Sequence, residues 1–487
     1  MLDRERHSYW GFRRIRLVVW SLFLIPAALS FGQQAPPDPS KPVFSVQQDR
    51  IRQSAGLQPR QVYQIDPTVV YTLPALIDIA ESRSPATREA WQAARQQAAA
   101  LGVAKSELYP IARAFLSGFT NKNGVLLYKQ FVLQYEGLGE GAIGLEYTLV
   151  DFGARLDRIH ENENLLQASN FAFNDTHLKL IYTVTQEYYQ LLSAAGQRRA
   201  AEANLKNAEA VADATQARFD NGLATLPDVL EAKSAAAQAA YDLQIRVGDE
   251  KKAMGTLATL LTAPADSQLK VQSIDDLAIP ETLPDAAREL IEQALRNRPD
   301  LLQQIAAINA AKAEQQRAKK AYYPVLTFDG DYGRLRGYGE QPPYASTYSS
   351  GTVYDATLRL SWTFFDGGRR HSELEQAKAA ELRAQSALNL KQDQIESEVW
   401  NAYANAETAL RQRQAATALL RASQESYDLS ADAYKYGVRN VLDVLQAERQ
   451  LAAARSEDVT ARAAVLNSMA DINFRTGELL RRQAGHP

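Results

Sequence analysis

The chain has 487 residues, with 54 Lys and Arg against 57 Asp and Glu, and no cysteine. A near-balanced charge excludes the basic footprint of a nucleic-acid binder. Without cysteine there are no disulfides, no thiol chemistry and no lipidated N-terminal Cys.

Residues 1–32 read as a signal peptide. Five arginines (Arg4, Arg6, Arg13, Arg14, Arg16) precede an apolar run from Leu17 to Leu29, and small residues follow at Ala28, Ser30 and Gly32. Pro26 interrupts that run, which falls short of the ~20 residues a spanning helix needs. Cleavage is expected after Ser30 or Gly32. Residues 33–71 are polar and carry six prolines, the last at Pro59 and Pro67. An extended segment, lying along the surface or disordered, is expected there.

The rest of the chain is a tandem duplication. The stretch Tyr147-Thr148-Leu149-Val150-Asp151-Phe152-Gly153-Ala154-Arg155 aligns with Trp362-Thr363-Phe364-Phe365-Asp366-Gly367-Gly368-Arg369-Arg370 at a shift of 215. The same shift sets Phe219-Asp220-Asn221-Gly222 on Tyr434-Lys435-Tyr436-Gly437, and Asp228-Val229-Leu230 on Asp443-Val444-Leu445. Tyr109-Pro110 and Pro85 match Tyr323-Pro324 and Pro299 at 214, and Thr72-Leu73-Pro74 matches Thr282-Leu283-Pro284 at 210. The repeats are therefore 72–265 and 282–480, with a tail at 481–487.

Each copy opens with Thr-Leu-Pro, the hydroxyl at the N-cap and Pro in the first turn. An Ala/Gln-rich helix runs to Tyr-Pro, and a strand hairpin closes on the Asp-(Phe/Gly)-Gly turn. A very long helix, a Gly break and another long helix complete the copy. Ala154 to Ala217 contains no Pro, predicting roughly 95 Å of helix. Within it Ile181, Val184, Tyr188, Leu191 and Ala195 form a stripe, answered by Ile395, Val399, Ala402, Ala406 and Ala409. That spacing is a coiled-coil seam, although an ordinary helical bundle would show the same stripe.

The strands are the distinguishing feature. From Thr352 to Phe365, Tyr354, Ala356, Leu358, Leu360, Trp362 and Phe364 point one way while Asp355, Thr357, Arg359, Ser361 and Thr363 point the other. Leu326, Phe328, Gly330 and Tyr332 form a second apolar row; Ile143, Leu145, Tyr147 and Leu149 form a third. Ile111 to Phe119 is the expected partner strand. Alternating segments of ~10 residues with aromatics near their ends suit a transmembrane barrel, and a soluble sandwich strand alternates too. Export and the strand count favour the barrel. A bilayer permits no open sheet edge, and four strands cannot close one, ~8 being the minimum. The barrel must be shared: two protomers give 8 strands, three give 12 and room for a lumen.

These signals, over roughly Thr72 to Leu480, resemble the TolC family of bacterial outer-membrane factors. The resemblance implies a fold that is mainly α with membrane β: a homotrimer in which long α-helical coiled coils form a tunnel and four strands per protomer complete a 12-stranded barrel. It implies residence in the outer membrane, in contact with its lipid, with a large periplasmic portion. It also implies a passive exit duct for tripartite efflux or type I secretion, opened by contact with a periplasmic adaptor (membrane fusion protein) and an inner-membrane pump. The loops Thr120–Gly141 and Arg334–Ser350 would lie outside the cell. Asn221-Gly222-Leu223 and Tyr436-Gly437-Val438 would form the periplasmic tips that meet the adaptor.

By the same resemblance, the tunnel mouth is closed by a latch in which Asp228 accepts and Tyr434 and Arg439 donate. Asp443 matches one acid of a constricting ring, while Gln446 stands where the family has its second. Three carboxylates around a threefold axis attract cations, and a single ring should do so more weakly than two.

Other motifs lead nowhere. Gly139-Glu140-Gly141-Ala142-Ile143-Gly144 fits a dinucleotide fingerprint but enters a strand instead of opening a helix. Asp151-Phe152-Gly153 lacks the rest of a kinase, and His7, His160, His177, His371 and His486 have no metal-ligand spacing. No catalytic residue, cofactor or metal is expected. The competing reading is a soluble periplasmic coiled-coil scaffold or adaptor without a barrel.

Overall fold

The computed structural model describes residues 62–127, 129–283, 286–340 and 345–479. The expected signal peptide, residues 33–61, Pro284 and the 481–487 tail lie outside the described residues.

In chain order the elements are β1 (Val70–Tyr71), α1 (Leu73–Arg83), α2 (Pro85–Ser106), β2 (Ile111–Leu127), β3 (Gln130–Val150), α3 (Ala154–Asp220) and α4 (Leu226–Leu260). The second copy follows as β4 (Lys270–Val271), α5 (Ala287–Asn297), α6 (Pro299–Lys320), β5 (Val325–Glu340), β6 (Thr347–Ser361), α7 (Arg369–Lys435) and α8 (Val441–Arg475). Pro85 and Pro299 each split the expected first helix in two, because a helix does not run through the residue before proline. Thr72 is the N-cap of α1, as expected, but its hydroxyl makes no capping bond. In the second copy the helix begins at Ala287, beyond Thr282-Leu283.

Helices α3 and α7 run 67 residues each, about 100 Å. Near the strands, α3 lies between α2 and α6, and α7 packs on α6; toward the far ends, α3 packs on α4 and α8, and α8 on α7. The predicted stripes are the packing surfaces. Val184, Tyr188 and Leu191 join Leu76, Leu257, Leu261 and Ile274 in one core, while Ile395, Val399, Ala402 and Ala406 meet Leu290, Leu301 and Ile472 in another. The first core also takes in Tyr71, Tyr63 and Ile65. Of the two alternatives expected for residues 33–71, the described part, 62–71, lies along the surface, with β1 pairing parallel to β4.

The four long strands form one antiparallel sheet in the order β2-β3-β5-β6, so β2 and β6 are its edges. β2, β3 and β5 are longer than the ~10 residues expected, at 17, 21 and 16, while β6 at 15 is close to the 14 of Thr352 to Phe365 but displaced along the chain. Most of the expected outer loops is paired strand: β2 stays in register with β3 out to Leu127↔Gln130, and β5 with β6 out to Gly339↔Thr347. Ladder bonds come from the backbone, so polar and glycine-rich sequence extends them as readily as apolar sequence. At the opposite end β6 stops at Ser361, short of the expected Phe365.

One face of the sheet carries Ile143, Leu145, Tyr147, Phe328, Tyr332, Tyr354, Leu358 and Leu360; the other carries Arg113, Glu146, Asp329, Asp331, Asp355 and Arg359. Each hairpin passes to its long helix through a matching turn. The Asp151 carboxylate accepts from the Gly153 amide and from the amide and Nε of Arg155; Asp366 does the same for Gly368 and Arg370. Gly153 and Gly368 both sit at φ +88°, in the left-handed region where a Cβ is costly. Among the described residues no helix is long and apolar enough to cross a membrane.

Candidate gate at the helix tips

The chain reverses at the ends of α3 and α7, and both reversals are the same glycine-closed cap. The Leu223 amide donates to the Arg218 carbonyl at 2.7 Å and the Gly222 amide to Phe219 at 2.8 Å; Val438 and Gly437 repeat this onto Ala433 and Tyr434 at 2.8 and 2.9 Å. This is the Schellman pattern, with Gly222 at φ +71° and Gly437 at φ +78°. Asn221 donates its side-chain amide back to Ala217 at 2.7 Å. The tips end in exposed apolar side chains: Leu223 is 66% exposed, Tyr436 79% and Val438 78%. Oily side chains at an end that nothing in the protomer covers are the mark of a contact surface.

Just above the tips the two copies are fastened together. The Tyr434 hydroxyl donates to Thr215 Oγ1 at 3.1 Å, and Thr215 donates in turn to the Val211 carbonyl at 2.7 Å. Arg218 lies over the Tyr434 ring, 4.8 Å from its centroid, and donates to the carbonyls of Tyr434 (2.9 Å) and Lys435 (3.4 Å). A cation over a ring that also serves the last carbonyls of a helix is favoured three ways: by the ring quadrupole, by hydrogen bonding and by the helix dipole. Val211, Ala212, Ala232, Val441, Val444 and Leu445 complete a small core around Tyr434.

Within one protomer Asp228 does not meet Tyr434 or Arg439. Its carboxylate accepts from the Thr225 amide at 2.8 Å and the Thr225 hydroxyl at 2.7 Å, closing the N-terminus of α4. Those two bonds hold it below the ordinary carboxylate range. Arg439 reaches Ser430 Oγ at 3.4 Å. Ser430 is the repeat counterpart of Thr215 at the shift of 215, so each copy uses the same buried hydroxyl position. Sequence reasoning misses Thr215 and Arg218; the repeat register, which places Thr215 on Ser430, is the available signal.

Asp443 and Gln446 share one face of α8 and both are exposed. The amide of Asp443 is taken by the N-cap Asn440 at 2.9 Å, leaving its carboxylate directed to solvent. One turn further, Glu448 is only 7% exposed. Burial pushes its carboxyl up to about 6, against the pull of Arg449 and Arg455. Arg455 bridges α3 and α7, donating to Asn204 at 2.9 Å and Gln424 at 3.0 Å. Among the described residues no cluster of His, Asp and Glu could hold a metal ion.

The profile of the family described as outer membrane efflux protein matches residues 76–262 and 290–478. The chain is 29% identical to the pyoverdine export outer membrane protein OpmQ of Pseudomonas aeruginosa over 66% of each chain. It is 23% identical to the probable outer membrane lipoprotein SilC of Salmonella typhimurium, over 90% of this chain and 93% of that one. In structure it is similar to a membrane protein from P. aeruginosa (TM-score 0.72, 21% identity, 84% of this chain and 91% of that). It is also similar to the open MtrE outer membrane channel of Neisseria gonorrhoeae (TM-score 0.67, 23% identity, 83% and 88%).

Proposed function

Because the chain belongs to the outer membrane efflux protein family, and is therefore a passive outer-membrane channel with a large periplasmic portion and not an enzyme, we propose that its helix tips are a gate that periplasmic partners open. Three copies make the duct. The edges β2 and β6 each carry a row of unpaired backbone groups, which lipid does not tolerate. Pairing β6 of one copy with β2 of the next closes 12 strands around a lumen lined by the charged face. The flanking helices are unfinished in the same sense. Trp91 and Val103 on α2, Tyr241 and Ile245 on α4, and Trp400 and Leu429 on α7 are exposed in the single chain, and a neighbouring copy covers them. The soluble scaffold reading has no use for an apolar sheet face with open edges.

In this reading Asp443 forms a threefold acidic ring at the mouth, with Gln446 as a neutral ring one turn deeper. Swinging α7 and α8 outward opens it, and that motion must break the Tyr434–Thr215 and Arg218–Tyr434 links. Asn221, Gly222, Leu223, Tyr436, Gly437 and Val438 present the surface that an adaptor (membrane fusion protein) grips to drive the swing, beneath an inner-membrane pump. Relatives whose names specify pyoverdine export and cation efflux share one architecture, so cargo choice is assigned to the pump.

The observation that carries the proposal is the lock itself, which ties the C-terminal end of one long helix to the other beside the exposed carboxylates. Cysteines placed at Thr215 and Tyr434 and joined by a short crosslinker should hold conductance in planar bilayers at its lowest level, and cleaving the linker should release it. Conductance indifferent to the crosslink refutes the gate.

A further inference from the structure

The apolar face of the sheet has a measurable height, and what stands above it is unusual. Its lower rim is aromatic, with Trp362, Phe364 and Phe365 between 62% and 86% exposed. Its upper rim is the row in which Tyr332 pairs with Ile143 and Tyr354. From Leu360 to Tyr354 is about 20 Å of strand, or roughly 15 Å of height at barrel tilt, and the aromatic residues beyond the end of β6 extend this apolar band below it.

The same face continues upward, because the strands run on. The next two rows hold Arg334, opposite Gly141 and Thr352, and Arg336, opposite Gly139 and Ser350. Both arginines are exposed, and among the described residues no hydrogen bond, ion pair or ring contact engages either one. Glycine on the β3 side leaves them uncovered; Glu136 and Glu140 lie on the opposite face, and Glu340 is on the same face two rows above Arg336. Above them, Tyr338 and Tyr348 pair, with ring centroids 6.2 Å apart. Two unpaired guanidiniums thus stand between two tyrosine rows, about 5 and 10 Å above the apolar rim after tilt. That is the depth of the headgroup layer. An arginine at that depth is tolerated where one at the midplane is not, but free solvation does not explain why the outward charges nearest the lipid are both cationic forks.

We propose that Arg334 and Arg336 form a binding site for the phosphate groups of the multiply acylated, phosphorylated glycolipid of the outer leaflet, its acyl chains lying against the apolar band below. Guanidinium forks match phosphate oxygens in pairs. The tyrosine rows supply hydroxyls and flat surfaces for the sugar. This rests on the reading of the chain as an outer-membrane channel. The trimer would carry the site three times.

The test uses the detergent-purified full-length protein, with hexa-acylated diphosphoryl lipid A, its dephosphorylated form and inorganic phosphate as probes. Wild type should bind the diphosphoryl lipid at least tenfold more tightly than the Arg334→Gln/Arg336→Gln variant. The variant should bind both lipids alike, Arg334→Lys/Arg336→Lys should fall between, and millimolar phosphate should not displace the lipid. Equal binding by wild type and the Gln variant, or no preference for the phosphorylated lipid, overturns the site. Displacement by inorganic phosphate alone would overturn the lipid as its occupant. Conductance in phospholipid-only bilayers separates the two proposals: if both proteins conduct while lipid binding is unchanged, only the arginine site fails; if wild type does not conduct, the channel reading fails.

Discussion

Arg218→Ala is the sharpest test of the tip lock. Arg218 gives two carbonyls of the other copy a charged donor, at 2.9 and 3.4 Å, and stacks on Tyr434 at 4.8 Å. A charged hydrogen bond is worth ~1.5–3 kcal/mol, discounted toward the lower end here because the group is partly solvated. The ring contact adds about 0.5–1 kcal/mol, and the helix-dipole part overlaps with the hydrogen bonds. The expected loss is about 2 kcal/mol per protomer. At ~1.4 kcal/mol per tenfold, this moves the closed-to-open balance about 30-fold for each arm of the gate. Single-channel recording should show a matching rise in the time spent open, and Arg218→Lys should show a smaller one, since it keeps the charge but not the fork. An intact trimer of Arg218→Ala that gates as wild type does would refute the claim that opening breaks this contact.

Asp443→Asn should weaken block by divalent or trivalent cations severalfold in the same recordings, and Gln446→Glu should strengthen it by adding a second ring; retained block in the first would place the constriction elsewhere. Glu448 stands at about 6 when folded, above its ordinary 4.5. The stability it lends is therefore complete below about 4.5 and lost as pH rises through about 6. Glu448→Gln should flatten the pH dependence of thermal unfolding between pH 5 and 7 and raise stability at neutral pH; an unchanged profile would show the charge to be harmless. At the break between α5 and α6, Arg298 binds Asp300 and Glu398, each at 2.6 Å, while Lys391 also reaches Asp300 at 2.7 Å. Arg298→Met should cost about 1–2 kcal/mol, since Lys391 still holds Asp300 and Arg475 still holds Glu398, read as a lower melting temperature in detergent. Burial would raise Asp300, but its bonds to Arg298 and Lys391 hold it at about 2. Its contribution is thus full above 3.8 and lost as pH falls through about 2, and the Met variant should show a weaker acid-limb dependence, with Lys391 supplying what remains.

Helix length, seam, hairpin count and repeat register are all legible in the sequence, because each leaves a side-chain period or a turn residue in the chain. Strand length is not. Thr120 to Gly141 reads as loop by composition, yet it is laddered through backbone groups that no side chain announces. The site divides the same way. The tips are local, and their glycines mark them. The lock joins residues 216 and 219 positions apart, where only the repeat offers a hint. Within the protomer Asp228 serves its own helix start, where Thr225-Leu226-Pro227-Asp228 forms a cap that a local sequence pattern announces.

The bare edges β2 and β6 make assembly a matter of gene dosage. A wall divided among three identical chains is spoiled by any one that folds but cannot offer its edge. If half the chains in a cell carry such a lesion, only about one complex in eight is built wholly from sound copies. Impaired export should then behave as a dominant trait, out of proportion to the fraction of faulty protein present.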